Sequence, residues 1–510
     1  MIYNSTALLV LGQDDDIAIA RRDIAQGEHL DEIDGASRAP IPFGHKVALR
    51  PLAQGQPVRK YGQTIGIAKA DILPGDHVHT HNMGMTDVTL HHEYSVDARE
   101  PDYVAPEAAR SFMGYKRASG RVGTRNYVAI ISSVNCSATV CRAVAEHFKD
   151  REIMRRYPNV DGVVAFTHGS GCSSNGYAEG YSYLTRTLTG YARNPNVGAA
   201  LFIGLGCETN QITLMLEEHA METGARIRQM STQGIGGTRK TIEAAIAAVE
   251  DLLVVVDQDR RSPQPLSELV VALQCGGSDA YSGISANPAL GYASDLLVRH
   301  GATAILSETP EIYGAEHLLT RRAADAGIAE ALLARIDWWK HYTSRNNAEL
   351  DNNPSHGNKE GGLTTILEKS LGAVAKGGTS RLNAVYEFAQ PVTARGLVFM
   401  DTPGNDPVAV TGQVAGGANL VCFTTGRGST SGFKPAPCIK IASNTPMYER
   451  MSDDIDINCG DIVSGDETIA EAGARIFELV VQIASGEHTK SEDFGYGDNE
   501  FVPWVVGAVM

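Results

Sequence analysis

The chain has 510 residues, 43% of them apolar and 20% charged, which is ordinary globular usage for two to four domains with well-filled cores. Its formal net charge of −16 disfavours a nucleic-acid backbone or an anionic membrane as the main partner, but not a small anion held at a locally basic site. No apolar run approaches the ~20 residues of a membrane span, and the first dozen residues carry no basic leader ahead of Asp14, Asp15 and Asp16, so a cytoplasmic protein with reduced thiols is expected.

Residues 1–90 read as short alternating segments broken by turns such as Leu73-Pro74-Gly75-Asp76, a small β-rich module. It holds two polar clusters, Gly44-His45-Lys46 and His77-Val78-His79-Thr80-His81-Asn82. In an extended strand His77, His79 and His81 point to one face, either as metal ligands or as a solvated polar edge. Residues 91–112, with Pro101 and Pro106, read as a linker. The basic, glycine-rich stretch 114–126, which includes Arg121, Arg125 and Asn126, could meet a carboxylate or phosphate, or be a solvated loop. Across 113–256 and 257–510, apolar runs of strand length alternate with helical patterns such as 138–149 and 238–253. The expected fold class is therefore multidomain α/β: a small β-rich domain, then two α/β domains with mainly parallel sheets and crossover helices.

Where those runs end, their character changes. Val128–Ile131 leads to Asn135-Cys136, Gly162–Phe166 to His168 and Cys172, Ala199–Ile203 to Cys207-Glu208, and Leu269–Leu273 to Cys275 and Asp279. Gly301–Leu306 leads to Glu308, and Asn419–Phe423 to Thr425-Gly426-Arg427. The carboxyl ends of strands in open α/β sheets are where ligands bind. Thiolate, imidazole and carboxylate together suit Fe(II), Mn(II) or Zn(II), whereas each thiol singly is explained by a small buried apolar side chain. A polar loop at 353–362, carrying Asn358 and Lys359, is of the kind that lines sites. No dinucleotide fingerprint, Walker lysine or G-x-S-x-G elbow occurs.

Taken in order, Gly44-His45-Lys46, His79-x-His81-Asn82, the stretch 120–126, Gly204-Leu205-Gly206-Cys207-Glu208, Cys275-Gly276-Gly277-Ser278-Asp279, Ser285-Ala286-Asn287-Pro288, Asn353-Pro354-Ser355 with Gly357-Asn358-Lys359, and Thr425-Gly426-Arg427-Gly428 resemble the altronate/galactarate dehydratase family over nearly the whole chain. The resemblance implies a SAF domain at the N-terminus and a lyase that dehydrates a sugar acid, altronate leading, to a 2-keto-3-deoxy acid with Fe(II) or Mn(II). It implies His45 or His168 as base or acid and Lys46 or Lys359 against enediolate charge. Arg427 would grip the carboxylate, with Arg121, Arg125, Asn126, Ser278, Asn358 and Thr425 as further substrate contacts. Metal ligands would come from His79, His81, Cys172, Cys207, Glu208, Cys275, Asp279 and Glu308. The expected partners are the sugar acid and a second copy in a homodimer. Galactarate or another aldonate or aldarate is the alternative substrate, and sulfolactate sulfo-lyase the alternative reaction. A different class is an iron–sulfur carrier or sensor on Cys136, Cys172, Cys207 and Cys275.

Overall fold

In the computed structural model the described residues are 3–4, 7–86, 90–172, 175–275 and 277–507. The N-terminal module is β-rich. Tyr3–Asn4, Leu8–Val10, Ile17–Ala20, Lys46–Ala48 and His77–Val78 form one antiparallel sheet in that order, and Pro57–Lys60, Gln63–Ala68 and Met83–Gly84 form a second. The segment after it runs along the C-terminal domain, where Ser95 and Asp97 donate backbone bonds to Thr320 and Arg321, and Asp102 pairs with Arg299.

The middle domain is a four-stranded parallel sheet in the order Gly162–Phe166, Tyr127–Ser132, Val197–Gly204, Ile227–Ser231. Its two central strands are buried on both faces, which is why they read as unbroken apolar runs rather than alternations. Val128 and Ile130 face the helices Ala138–His147 and Thr238–Val256, while Ala129 and Ile131 face Glu179–Arg193. That second core is continuous with the C-terminal domain, because Glu179–Arg193 packs on the helix Asp406–Ala415. Gly190 lies so close to the carbonyl of Ala415 that no side chain fits between the two helices.

The C-terminal domain holds a seven-stranded, all-parallel sheet in the order Leu382–Tyr386, Gly396–Met400, Thr303–Leu306, Val270–Gln274, Leu420–Thr425, Cys438–Ala442, Ile457–Asn458. Val270–Gln274, the strand ending at Cys275, is its centre. Among the described residues no helix is long and apolar enough to cross a membrane.

Candidate active site at the joint between the SAF and C-terminal domains

The N-terminal module docks beside the tip of the central C-terminal strand. Gly44 (φ +81°) and Gly362 (φ +95°) meet backbone to backbone, and a Cβ on Gly362 would lie 2.5 Å from the Gly44 carbonyl, so a side chain there would part the domains. Next to this contact Lys46 Nζ donates to Gly362 O at 2.5 Å and to Glu368 Oε2 at 2.8 Å, and Lys60 Nζ pairs with Glu368 Oε1 at 3.0 Å. All three side chains are buried. Burial pushes the Glu368 carboxyl up, but the two ammonium groups outweigh it and hold the carboxyl down at about 2. Burial also lowers Lys46 to about 8 against the pull of Glu368. Lys46, expected to face enediolate charge, is thus an anchor of the joint with its donors already engaged.

Beside the anchor stand four imidazoles. His45 Nε2 lies 3.1 Å from the Glu360 carbonyl, which can only accept, so this nitrogen carries the proton. His45 Nδ1 then accepts from His77 Nε2 at 3.0 Å. The His79 ring is centred 4.9 Å from that of His45, and the His81 ring 5.4 Å from that of His77. Asn82 sets the turn, accepting from the His79 amide at 2.9 Å and donating to the His77 carbonyl at 3.0 Å. Burial, followed by the repulsion of neighbouring imidazoles, lowers His77 to about 3. Burial, followed by the charges of Lys46 and His45, lowers His79 to about 4. His77 and His79 are therefore neutral at pH 7, and His79 Nδ1 is buried without a partner.

The C-terminal side supplies the polar rim. Ser355 caps the short helix His356–Glu360 in a capping box with Asn358, and Asn358 Nδ2 donates to Ser278 O at 3.3 Å. Ser278 Oγ accepts from the Gly426 amide at 2.8 Å and lies 3.4 Å from Thr425 Oγ1. Arg427 reaches Glu360 Oε2 at 3.2 Å, with both side chains about half exposed. The Lys359 ammonium makes no hydrogen bond or ion pair among the described residues, and its charge acts on the nearby Asp351 carboxyl. Ser278, Asn358, Lys359, Thr425 and Arg427 thus gather around Glu360, the residue whose carbonyl holds His45.

Other expected site residues lie elsewhere. Arg121, Arg125 and Asn126 precede their strand, so they sit at its amino end, opposite the tips. Arg125 is buried in a pair with Glu492 and donates to the carbonyls of Thr124, Ile483 and Glu487. Asn126 ties Asn159 to Val256, and Arg121 donates to Val392. Arg121 and Arg125 thus join the middle domain to the C-terminal domain, and Asn126 ties the middle domain to itself, all away from the strand tips. Both ring nitrogens of His168 are taken by backbone, Nε2 by Ser132 O at 3.0 Å and Nδ1 by Ser170 N at 3.1 Å, so it shapes a loop and has no nitrogen left for acid–base work. Glu208 accepts from Ser133 Oγ and from the amides of Leu205 and Gly206. Asp279 accepts from Ser282, Ser443 and Asn444 and thereby fastens the tip of Val270–Gln274 to that of Cys438–Ala442.

Cys275 (φ +66°) and Glu308 (φ +69°) end neighbouring strands in the left-handed region, a strain of order 1–3 kcal/mol each for a non-glycine residue. Burial raises the Cys275 thiol well above its usual range and takes Glu308 to about 8, with Lys376 at 3.4 Å. The eight expected ligands therefore divide among the imidazole cluster, the C-terminal strand tips and the middle-domain tips. Among the described residues no three His, Cys, Asp or Glu side chains are placed to hold one ion. The expected set therefore does not fit a single Fe(II) or Mn(II). Sequence reasoning missed Glu368, Lys60 and Glu360. Glu368 reads as one polar residue on a helix, and nothing local marks its partners some three hundred residues away.

Three family profiles match the chain in order. The altronate/galactarate dehydratase SAF domain covers residues 6–86, the D-galactarate dehydratase/altronate hydrolase second domain covers 114–257, and the D-galactarate/altronate dehydratase C-terminal domain covers 266–509. The chain belongs to the altronate/galactarate dehydratase family. It is 39% identical over 462 residues to galactarate dehydratase (L-threo-forming) of Escherichia coli K12, covering 89% of this chain and 88% of that protein. It is 36% identical over 482 residues to the altronate dehydratase of the same organism (94% and 95%) and 34% identical over 492 residues to that of Bacillus subtilis 168 (95% and 96%). Within this dehydratase the imidazole cluster belongs to the SAF domain and the cationic rim to the C-terminal domain, so the joint is composite.

Proposed function

We propose that this dehydratase removes water from a six-carbon sugar acid, altronate first, at the joint. The observation that carries the reading is Glu360, which links the imidazole cluster to the cationic rim: its carbonyl seats His45 and its carboxylate meets Arg427. A substrate carboxylate would take over Arg427, with Lys359 adding charge. The bound anion would also relieve the mutual repulsion of the imidazoles and raise their pKa, making them stronger bases when substrate is present.

In the proposed reaction His79, neutral and without a side-chain partner, takes the C2 proton, and Arg427 and Lys359 stabilise the enediolate. The C3–O bond breaks as the proton that His79 took from C2 is passed, by way of the neighbouring His45 and His77 rings, to the departing hydroxyl, so that water leaves and the imidazoles are neutral again. The remaining enol ketonises to the 2-keto-3-deoxy acid. Galactarate is the second reading, favoured because two cations at the rim, Lys359 and Arg427, could meet two carboxylates.

The test is a panel of hexonates and hexarates incubated with the protein, with and without added Fe(II) or Mn(II), and assayed for 2-keto-3-deoxy acid. Turnover of altronate is expected. Turnover of galactarate alone selects the second reading, and no product from any panel member would end both.

A further inference from the structure

The joint occupies the carboxyl ends of the C-terminal strands. At their amino ends, where the middle domain abuts the C-terminal sheet, lies a cleft of about 500 Å³. Val270 and Thr303 open two of the strands that floor it, Arg395 and Asn419 immediately precede two more, and Arg121, Val122 and Pro195 come from the middle domain. The floor is fixed by Asn419, whose Nδ2 donates to Val122 O at 2.9 Å and to Glu268 O at 3.1 Å and whose Oδ1 accepts from the Val270 amide at 2.9 Å. Small-molecule sites usually measure ~300–1,000 Å³ and favour domain interfaces.

The cleft is lined by two guanidinium groups and one carboxylate, and they pair unequally. Arg395 Nη2 pairs with Glu268 Oε1 at 3.0 Å, and its Nη1 donates to Ser267 O at 2.6 Å. Arg121 makes no ion pair among the described residues. Its side chain donates once, from Nη2 to Val392 O at 3.2 Å, which leaves Nε and Nη1 uncommitted. Burial lowers the guanidinium below its ordinary range with only the charge of Glu268 opposing, as for a cation short of a counter-charge. An arginine that merely covers apolar surface sends its head into water, but this head is packed against backbone. A Cβ on Gly417 (φ +115°) would lie 2.5 Å from Arg121 Nη2 and would drive the guanidinium from its place.

Around that charge the walls are apolar, built from Val122, Val270, Val392, Pro195 and Pro391. The combination discriminates among anions. A sugar acid would turn its hydroxyls toward valine and proline, and a dicarboxylate or phosphate would bring more charge than one free cation answers. A single carboxylate on an apolar body satisfies both the guanidinium and the walls.

We propose that this cleft is a second binding site, for a small organic acid with one carboxylate and an apolar body, the carboxylate meeting Arg121 and the body lying on Val122, Val270 and Val392. Such a ligand touches both domains and clamps them together. The site is at the far end of the strands from the joint and concerns binding alone, so it stands or falls apart from the sugar-acid reading.

The test is calorimetric titration of the full chain with 4-methylpentanoate, with 4-methylpentanamide, inorganic phosphate and altronate as comparison probes. Saturable binding of the acid is expected, weakened at least about tenfold for the neutral amide, for phosphate and in Arg121→Gln, the scale of a lost charge-assisted hydrogen bond. Altronate should not compete for the site, and Arg427→Ala should bind the acid as the wild type does. Denaturant midpoints show whether Arg121→Gln is folded. On the wild-type chain, where that question does not arise, the acid should protect Arg121 from phenylglyoxal, read by peptide mass. Absence of saturable binding, an amide that binds as well as the acid, unchanged affinity in a folded Arg121→Gln, or an Arg121 left unprotected would overturn the proposal. So would competition by altronate or a loss in Arg427→Ala, either of which would put the acid at the joint.

Discussion

The two parallel sheets of this dehydratase are built alike, with crossover helices on their faces and a cysteine at the end of a central strand, yet their tips have opposite fates. The middle-sheet tips stay open, and the thiols of Cys136, Cys172 and Cys207 meet solvent. The C-terminal tips lie beside the docked SAF domain, and Cys275 is buried there while His77, His79, His81 and Arg427 take the more accessible positions. The contrast teaches that a strand end offers a location only. What docks against it decides which chemistry reaches a ligand.

The comparison breaks most sharply at His45. His45→Ala should lower turnover by about 10²–10⁴-fold with the denaturant midpoint little changed, and near-normal turnover would remove the covered tip from the reaction. Glu368→Gln tests what keeps it covered. It leaves Lys46 and Lys60 buried without a counter-charge, and a loss of about 3–5 kcal/mol in unfolding free energy is expected; an unchanged midpoint would show that the triad does not secure the joint. Arg427→Ala should raise KM by roughly tenfold to a hundredfold, whereas Arg121→Ala, at the amino ends of the strands, should leave KM alone. Equal effects would erase the distinction between the two ends.

The smallest effect is a tilt with pH. The folded pKa of His77, about 3, lies below the ordinary imidazole value of 6.5, so the unfolded chain binds more protons between these limits. Stability therefore falls as pH drops from about 6.5 toward 4. His77→Gln, which cannot titrate, should flatten that slope, and an unchanged slope would place the dependence on other groups.

Much of this was legible in the sequence. Apolar runs buried on both faces announced parallel strands, and residues just beyond them were rightly located at tips. His79 and His81 were found through alternation, which brings in His77 as well. Partners were not legible. His168 and Glu208 have the chemistry of catalysts, but backbone groups from neighbouring loops occupy them, and only the fold reveals that occupation. Arg125 looked like a free cation because Glu492 lies 367 residues away. The basic stretch 114–126 reads as an anion site or a solvated loop, and the fold puts it at the amino end of the strand Tyr127–Ser132.

The pairing of Lys46 with Glu368 spans 322 residues. At ~5–20 residues per second, a ribosome needs roughly 15–60 s to make the second partner after the first. Throughout that interval the SAF domain waits with two lysines in water and an unmet glycine edge, and the joint can form only after residue 368 of 510 has been made. Premature termination between the end of the SAF domain and Glu360 therefore leaves the four histidines without the carbonyl of Glu360 and the two lysines without Glu368.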